Sequence, residues 1–332
     1  MKKGTRNIVV VSLIVVAVVF AWIGIRNRSN GTATVAPIQV RLKWLHQAQF
    51  AGFYVAKERG FYDREGLAVT LNAGGVDFPA IQLVAAGGEQ FGVTGADQLL
   101  LAREKGAPVV ALAAIYRRSP MVFFSLEKSG IRTPKDFEGK RVGVKLGGNE
   151  ELTYRAMIRK AGIDAKKITE IPVKYDMTPL FNGQVDVWPG YAINEVIVAQ
   201  EQGFKVNVIQ PADYGVDLYA DTLFTTEEML RDHPDMVEKF VRATSEGWQY
   251  AVDHPQEAVN DTLRYSDKLN RDHETKMLQA SIPLLKPDSK PLGWMDLAKW
   301  QEIEQLLKSQ GFLRTDVDVT QVFTDKFVTQ NR

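Results

Sequence analysis

RLKWLHQAQFAGFYVAKERGFY, residues 41–62, is the stretch on which the fold turns. An apolar strand ends near Trp44, a loop of mixed polar and aromatic residues follows, and a helix begins near Phe53. Gly60 ends that helix, and GFYDREGL at 60–67 leads into the next strand. Strand, loop, helix and strand in this order form the repeating unit of an α/β sheet. Ligands of such sheets sit at the carboxyl ends of strands, beside helix N-termini. Trp44 therefore stands where a cleft belongs, although a core tryptophan fits the local pattern too.

The same alternation continues outward. Strands are predicted near 38–44, 67–71, 90–94, 108–115, 121–126, 140–144, 168–173, 185–189 and 205–209. Helices are predicted near 53–60, 78–87, 97–105, 149–161, 178–182 and 192–202. Short connections between them predict mostly parallel sheets covered by helices. Beyond about residue 225 the pattern reads as helical throughout. Met236, Val237, Phe240, Val241, Trp248 and Val252 recur at helical spacing behind Pro234, further helices begin near Pro255 and run near 295–308, and this tail is read as packing.

The chain has 332 residues, a length that usually means more than one lobe. Its 41 basic and 40 acidic side chains leave a net charge of +1, which argues against a nucleic-acid partner. There is no cysteine, so disulfides, thiolate metal sites and thiol nucleophiles are excluded. The four histidines have no metal-ligand spacing. No nucleophile elbow and no phosphate-binding loop occurs, and neither a cofactor nor a metal is expected.

At the N-terminus, Lys2, Lys3 and Arg6 precede an uncharged apolar run from Ile8 to Ile25. About 18 residues at 1.5 Å rise span about 27 Å, close to a bilayer core. The run exceeds the usual core of a cleaved signal peptide. Residues 1–26 are therefore expected to be a membrane anchor, with a signal peptide as the alternative, and 27–37 a polar linker. The main body is expected on the extracytoplasmic face.

Four segments carry a family resemblance: KWLHQAQFAGFYVAKERGFYDREGL at 43–67, VTGADQLLLAREKGAPVV at 93–110, TPKDFEGKRVGV at 133–144 and VDVWPGYAINE at 185–195. The chain resembles, over roughly 38–312, the family that joins periplasmic substrate-binding proteins of ABC transporters with the thiamine-pyrimidine precursor synthases. The resemblance implies an α/β two-lobed periplasmic-binding-protein fold of type II behind the N-terminal transmembrane or signal segment. One lobe would hold 38–121 and 222–332, the other 122–221, with ligand between them. In the synthase branch a lysine and a histidine lie where this chain has Thr94 and Gln98. Threonine forms no Schiff base and an amide does not replace imidazole chemistry, so a binding protein is expected and not an enzyme.

A planar heterocycle calls for aromatic faces and a few directed hydrogen bonds. Trp44 and Tyr191 would supply the faces, with Gln49, Asn194 and Glu195 as polar partners. Glu195 reads equally as a first-turn glutamate complementing its helix dipole. Asp97 is a ligand contact or an N-terminal helix residue. Gly148 and Asn149, ahead of a helix, offer backbone N–H groups or simply a turn. Tyr116 points toward the crossing between lobes, and Tyr219 and Asp221 lie at the return crossing. By resemblance the ligand is a thiamine pyrimidine precursor of the hydroxymethylpyrimidine or formylaminopyrimidine type, and the partners are ABC permease and ATPase subunits. Riboflavin, another heterocycle or a sulfonate is the alternative, and the carboxylate of Glu195 disfavours anions. A sensor input module with a separate output partner is a further possibility of a different class.

Overall fold

Residues 36–329 are described by the structure, a computed structural model in which the chain from Pro37 onward forms one unit. The expected anchor at 1–26 lies outside the described residues. Most of the expected linker does too, but its last residues already belong to the first strand. Among the described residues no helix is long and apolar enough to cross a membrane.

Among the described residues there are ten strands: β1 Ala36–Arg41, β2 Leu67–Asn72, β3 Phe91–Thr94, β4 Val109–Tyr116, β5 Met121–Leu126, β6 Arg141–Val144, β7 Thr169–Pro172, β8 Trp188–Tyr191, β9 Val206–Ile209 and β10 Ala220–Thr226. The helices of seven residues or more are α1 Ala51–Glu58, α2 Ala96–Glu104, α3 Asn149–Lys160, α4 Glu195–Glu201, α5 Pro234–Asp253, α6 Pro255–Thr262, α7 Arg271–Leu285 and α8 Leu297–Ser309.

The larger sheet has the order β2-β1-β3-β10-β4. The other strands form a three-stranded sheet, β8-β5-β9, and the pair β6-β7. A parallel bridge between Val142 and Val187 links that pair to the chain entering β8. The larger sheet thus takes strands from before 117 and after 219, and the smaller ones take 121–209.

One expectation is corrected here. The sheets are not mostly parallel: β1 pairs with β3 and β6 with β7 in parallel, but β10 runs antiparallel to both β3 and β4, and β5 runs antiparallel to β8 and β9. Antiparallel neighbours need no crossover helix, and the segment from β9 to β10 holds only a short helical turn at Pro211–Tyr214. β10, just ahead of the tail read as helical, is absent from the predicted strands. In β10, ADTLFTT, the first six of seven residues are buried, so no polar alternation marks it as a strand.

Alternation does appear in which core each residue enters. Leu223 packs into the core containing α1, α5 and α7, and its neighbour Phe224 into the core containing α2 and α8. In β5, Val122, Phe124 and Leu126 join the core of the smaller sheets, while Met121 and Phe123 join the second core. This is the period of two expected where a strand is covered on both faces.

Helices α1 and α5 cross at two glycines. A Cβ on Gly247 would lie 2.2 Å from the Gly52 carbonyl oxygen, and one on Gly52 would lie 2.2 Å from the Trp248 ring. That crossing seats α1, and α1 carries the loop that precedes it.

Arg117, just past β4, is nearly buried and holds both oxygens of Asp288, at 2.5 and 2.9 Å. This guanidinium pulls the Asp288 carboxyl down to about 2. A carboxyl depressed by folding contributes stability that is present above its unfolded value near 4 and lost as pH falls through 2. Asp288→Asn should therefore flatten the acid limb of stability between about pH 4 and 2. Urea midpoints measured across that range check this, and an unchanged slope would refute it.

Candidate functional site

A cavity of about 380 Å³ is lined entirely by residues that follow strand carboxyl ends. Lys43, Trp44, Gln47 and Gln49 come from the loop after β1, and Gly75 and Val76 from the turn after β2. Lys145, Gly148, Asn149 and Glu150 follow β6, Tyr175 and Met177 follow β7, and Tyr191, Asn194, Glu195 and Val198 end or follow β8. Both groups of sheets thus turn the same kind of edge toward one space, the edge at which α/β proteins bind ligands.

The loop after β1 is held from behind. Ala48 N–H donates to Glu274 Oε2 at 2.6 Å, Gln47 N–H to Tyr54 Oη at 3.3 Å, and Tyr116 O–H to the Gln49 carbonyl at 3.3 Å. Burial raises the Glu274 and Tyr116 pKa values above their ordinary range. Little of this loop is free to move, so its side chains meet the cavity from fixed positions.

On the opposite wall, Glu195 accepts from Lys145 Nζ at 3.0 Å through Oε1 and from the Tyr191 backbone N–H at 2.8 Å through Oε2. Glu150 lies 3.9 Å from the same ammonium. The turn from Tyr191 to Glu195 is tight, because a Cβ on Gly190 would come within 2.8 Å of the Glu195 side chain. Asn194 faces His273 of α7, with Oδ1 3.2 Å from Nε2.

Two contacts span the cavity. Trp44 and Tyr175 meet with ring centroids 4.5 Å apart and planes tilted by 50°. Lys43 donates to the Tyr191 hydroxyl at 2.5 Å and lies 3.3 Å from Asp221 Oδ1. Burial works against the Lys43 charge, yet Tyr191 and Asp221 beside it hold its pKa above the ordinary lysine value. Burial also pushes the Tyr191 phenol up to about 12, against the pull of Lys43. The tyrosine therefore stays neutral and the lysine charged at neutral pH. Lys43 and Lys145 are each matched to carboxylates, so the space offers aromatic faces and paired polar groups, with no free cationic cluster for an anion.

Of the residues singled out from the sequence, Trp44, Gln49, Gly148, Asn149, Tyr191, Asn194 and Glu195 all line this cavity. Asp97 and Tyr116 do not. Asp97 is 1% exposed inside the first turn of α2, where it accepts from the Gln98 amide at 2.8 Å and burial raises its pKa. Tyr116 is fully buried behind Gln49, with its hydroxyl 2.9 Å from Ser281 Oγ. Both point into the body because their strand and helix are covered on that side. Sequence reasoning missed Lys43, Gln47, Lys145, Glu150 and Tyr175. Lys145 directly follows a strand, a signal that was available, whereas Lys43 stands inside the strand predicted at 38–44. Tyr175 lies in a short polar connection that carries no pattern. Among the described residues no group of three or more His, Cys, Asp or Glu side chains is placed to hold a metal ion.

Comparison with known proteins agrees with this architecture. A riboflavin-binding protein, RibY of Chloroflexus aurantiacus, is 28% identical over 90% of this chain and 88% of its own length. A formylaminopyrimidine-binding protein of Halalkalibacterium halodurans is 26% identical over 90% and 92%. A 4-amino-5-hydroxymethyl-2-methylpyrimidine phosphate synthase of Legionella pneumophila is 22% identical over 88% and 92%, so the relatives include an enzyme beside binding proteins. Among solved structures, the periplasmic aliphatic sulphonate binding protein SsuA of Escherichia coli superposes with a TM-score of 0.67 at 16% identity, covering 86% of this chain and 91% of that one. The fold is that of the periplasmic binding proteins. The model of the family described as NMT1/THI5 like matches residues 47–258, and the chain belongs to that family.

Proposed function

We propose that this protein is the extracytoplasmic substrate-binding component of an ABC importer, tethered by its apolar N-terminal run, and that it closes on a thiamine pyrimidine precursor. In this reading residues 38–121 with 222–332 form one lobe and 122–221 the other. A permease and an ATPase are its partners. The observation that carries the reading is the cavity itself: Trp44 and Tyr191 offer ring faces from opposite walls, and Glu195 presents a carboxylate between Lys145 and the Tyr191 backbone. A planar amino heterocycle meets both kinds of contact. An anion would face Glu150 and Glu195, and both lysines already have carboxylates beside them.

Binding without catalysis is supported at two positions. Thr94 and Gln98 stand where the synthases need a lysine and a histidine, and neither side chain lines the cavity. Riboflavin is the second reading, favoured by one observation. About 380 Å³ lies within the range of pockets that take ligands larger than a single ring.

A thermal-shift titration of the purified chain with hydroxymethylpyrimidine, formylaminopyrimidine, riboflavin, taurine and nitrate tests this. Ligand at about 100 times its Kd stabilises the native state by about 2.7 kcal/mol. A shift with the pyrimidines is expected. A shift with riboflavin alone would move the ligand to the second reading, and a shift with taurine or nitrate alone would discard the heterocycle.

A further inference from the structure

Behind the cavity wall sits a carboxylate that the reading above does not use. Asp221, the second residue of β10, is 1% exposed and has φ of 48°, a left-handed conformation shared by no other non-glycine residue among the described ones. A left-handed backbone outside glycine persists only where the surroundings hold it. Asp221 Oδ2 accepts from Gln49 Nε2 at 2.5 Å, and Oδ1 faces Lys43 Nζ at 3.3 Å. Gln49 Oε1 in turn accepts from Gln47 Nε2 at 2.5 Å. Both glutamines line the cavity and Asp221 does not.

The order of donors along this chain follows from one fact. A carboxylate only accepts, whereas a primary amide donates at one end and accepts at the other. Asp221 therefore fixes Gln49 with its NH2 inward, and the Gln49 carbonyl, left facing outward, takes the NH2 of Gln47. Gln47 Oε1 is then the terminal acceptor, and the structure gives it no protein partner among the described residues. With an amide in place of the carboxylate, the same three groups could be satisfied with every donor and acceptor exchanged.

We infer that Asp221 is a positioning residue that sets the hydrogen-bond polarity of this wall, so that Gln47 Oε1 selects ligands carrying an N–H at that edge over those with an N-alkyl group or a bare acceptor there. The inference rests on the heterocycle reading and specifies the edge chemistry of the ligand. It places selection on the wall opposite Glu195, in a side chain whose own sequence position carries no signal.

The test measures affinities of the full chain by titration calorimetry for two matched pairs. One is 4-amino-5-hydroxymethyl-2-methylpyrimidine with its N4,N4-dimethyl analogue, and the other is riboflavin with 3-methylriboflavin. The wild type should prefer the N–H member of the pair it binds by about tenfold or more, the scale of one lost hydrogen bond in a closed site. Asp221→Asn keeps the side-chain shape and tolerates the left-handed backbone. It should abolish or invert the preference, because the asparagine carbonyl turns to the Lys43 ammonium and its NH2 to Gln49, which reverses the amide chain. The double variant Asp221→Asn with Gln47→Glu moves the carboxylate to the other end of the chain and should restore the preference, which the repair of a merely structural defect would not do. If Asp221→Asn weakens both members alike and leaves their ratio intact, or if the double variant fails to regain it, the inference is overturned while the heterocycle reading stands. If the wild type binds neither pair, both fall together.

Discussion

Glu195→Ala is expected to weaken binding of the pyrimidine by about 100-fold, because it removes a charge-assisted acceptor worth about 1.5–3 kcal/mol. The loss has two parts. The proposed ligand would lose its acceptor, and the Tyr191 backbone N–H loses the Oε2 that holds it at 2.8 Å. Lys145 is left with the Glu150 carboxylate at 3.9 Å and the Tyr175 ring at 5.1 Å. The aromatic face and the carboxylate are thus one device, built on a single turn between Tyr191 and Glu195. Glu195→Gln separates the two parts, since its carbonyl can still accept from Tyr191 while the charge beside Lys145 is gone. Calorimetry on both variants reads the result. Wild-type affinity in Glu195→Ala would remove this residue from the site.

Gly247→Val is expected to cost about 3 kcal/mol or more, at or above the upper end of ordinary overpacking. The first atom of any side chain at 247 would fall 2.2 Å from the Gly52 carbonyl oxygen and 2.7 Å from the Ala56 Cβ. Neither neighbour is the end of a flexible side chain, so α1 and α5 would have to move apart. Trp248, buried next to this crossing, would lose its seat over Gly52. The melting temperature should fall by about 6–12 °C on the usual scaling for a domain of this size. Thermal denaturation checks it, and a melting temperature within about 2 °C of wild type would show that the crossing has slack.

The cavity loops were legible where chemistry and strand ends coincide. Trp44 was singled out at a strand end, where α/β sheets put their ligands, while Tyr191 in a loop and Glu195 at a helix start owed their selection to the family resemblance. The alternation placed β1–β9 along the chain, but their division between lobes was only what the family resemblance implied. β10 was not legible. ADTLFTT lacks the period of two, because both faces of the strand are covered and its threonines are buried with the rest. α7 was covered by the helical reading of the tail but not delimited, because Pro283 and scattered charges blur its period, although Asn270 caps it through the N–H groups of Asp272 and His273. Asp97 and Tyr116 were read as ligand contacts from their position along the chain. What decided their place was the side of the sheet or helix they face, and burial settles that only in three dimensions. Lys43 illustrates the converse. Nothing local distinguishes it, and its partners Tyr191 and Asp221 arrive about 150 and 180 residues later.

The place of β10 has a consequence for the order of events during synthesis. β3 and β4 do not pair with each other, because the strand that joins them lies between them and is made roughly a hundred residues after β4 ends. At about 5–20 residues per second a ribosome needs several seconds to supply it. Throughout that interval any emerging chain carries two open sheet edges, on β3 and on β4, each a row of unpaired backbone groups ready to take a wrong partner. The larger sheet thus closes last although most of it is made first, and the growing chain stays unfinished across most of its length.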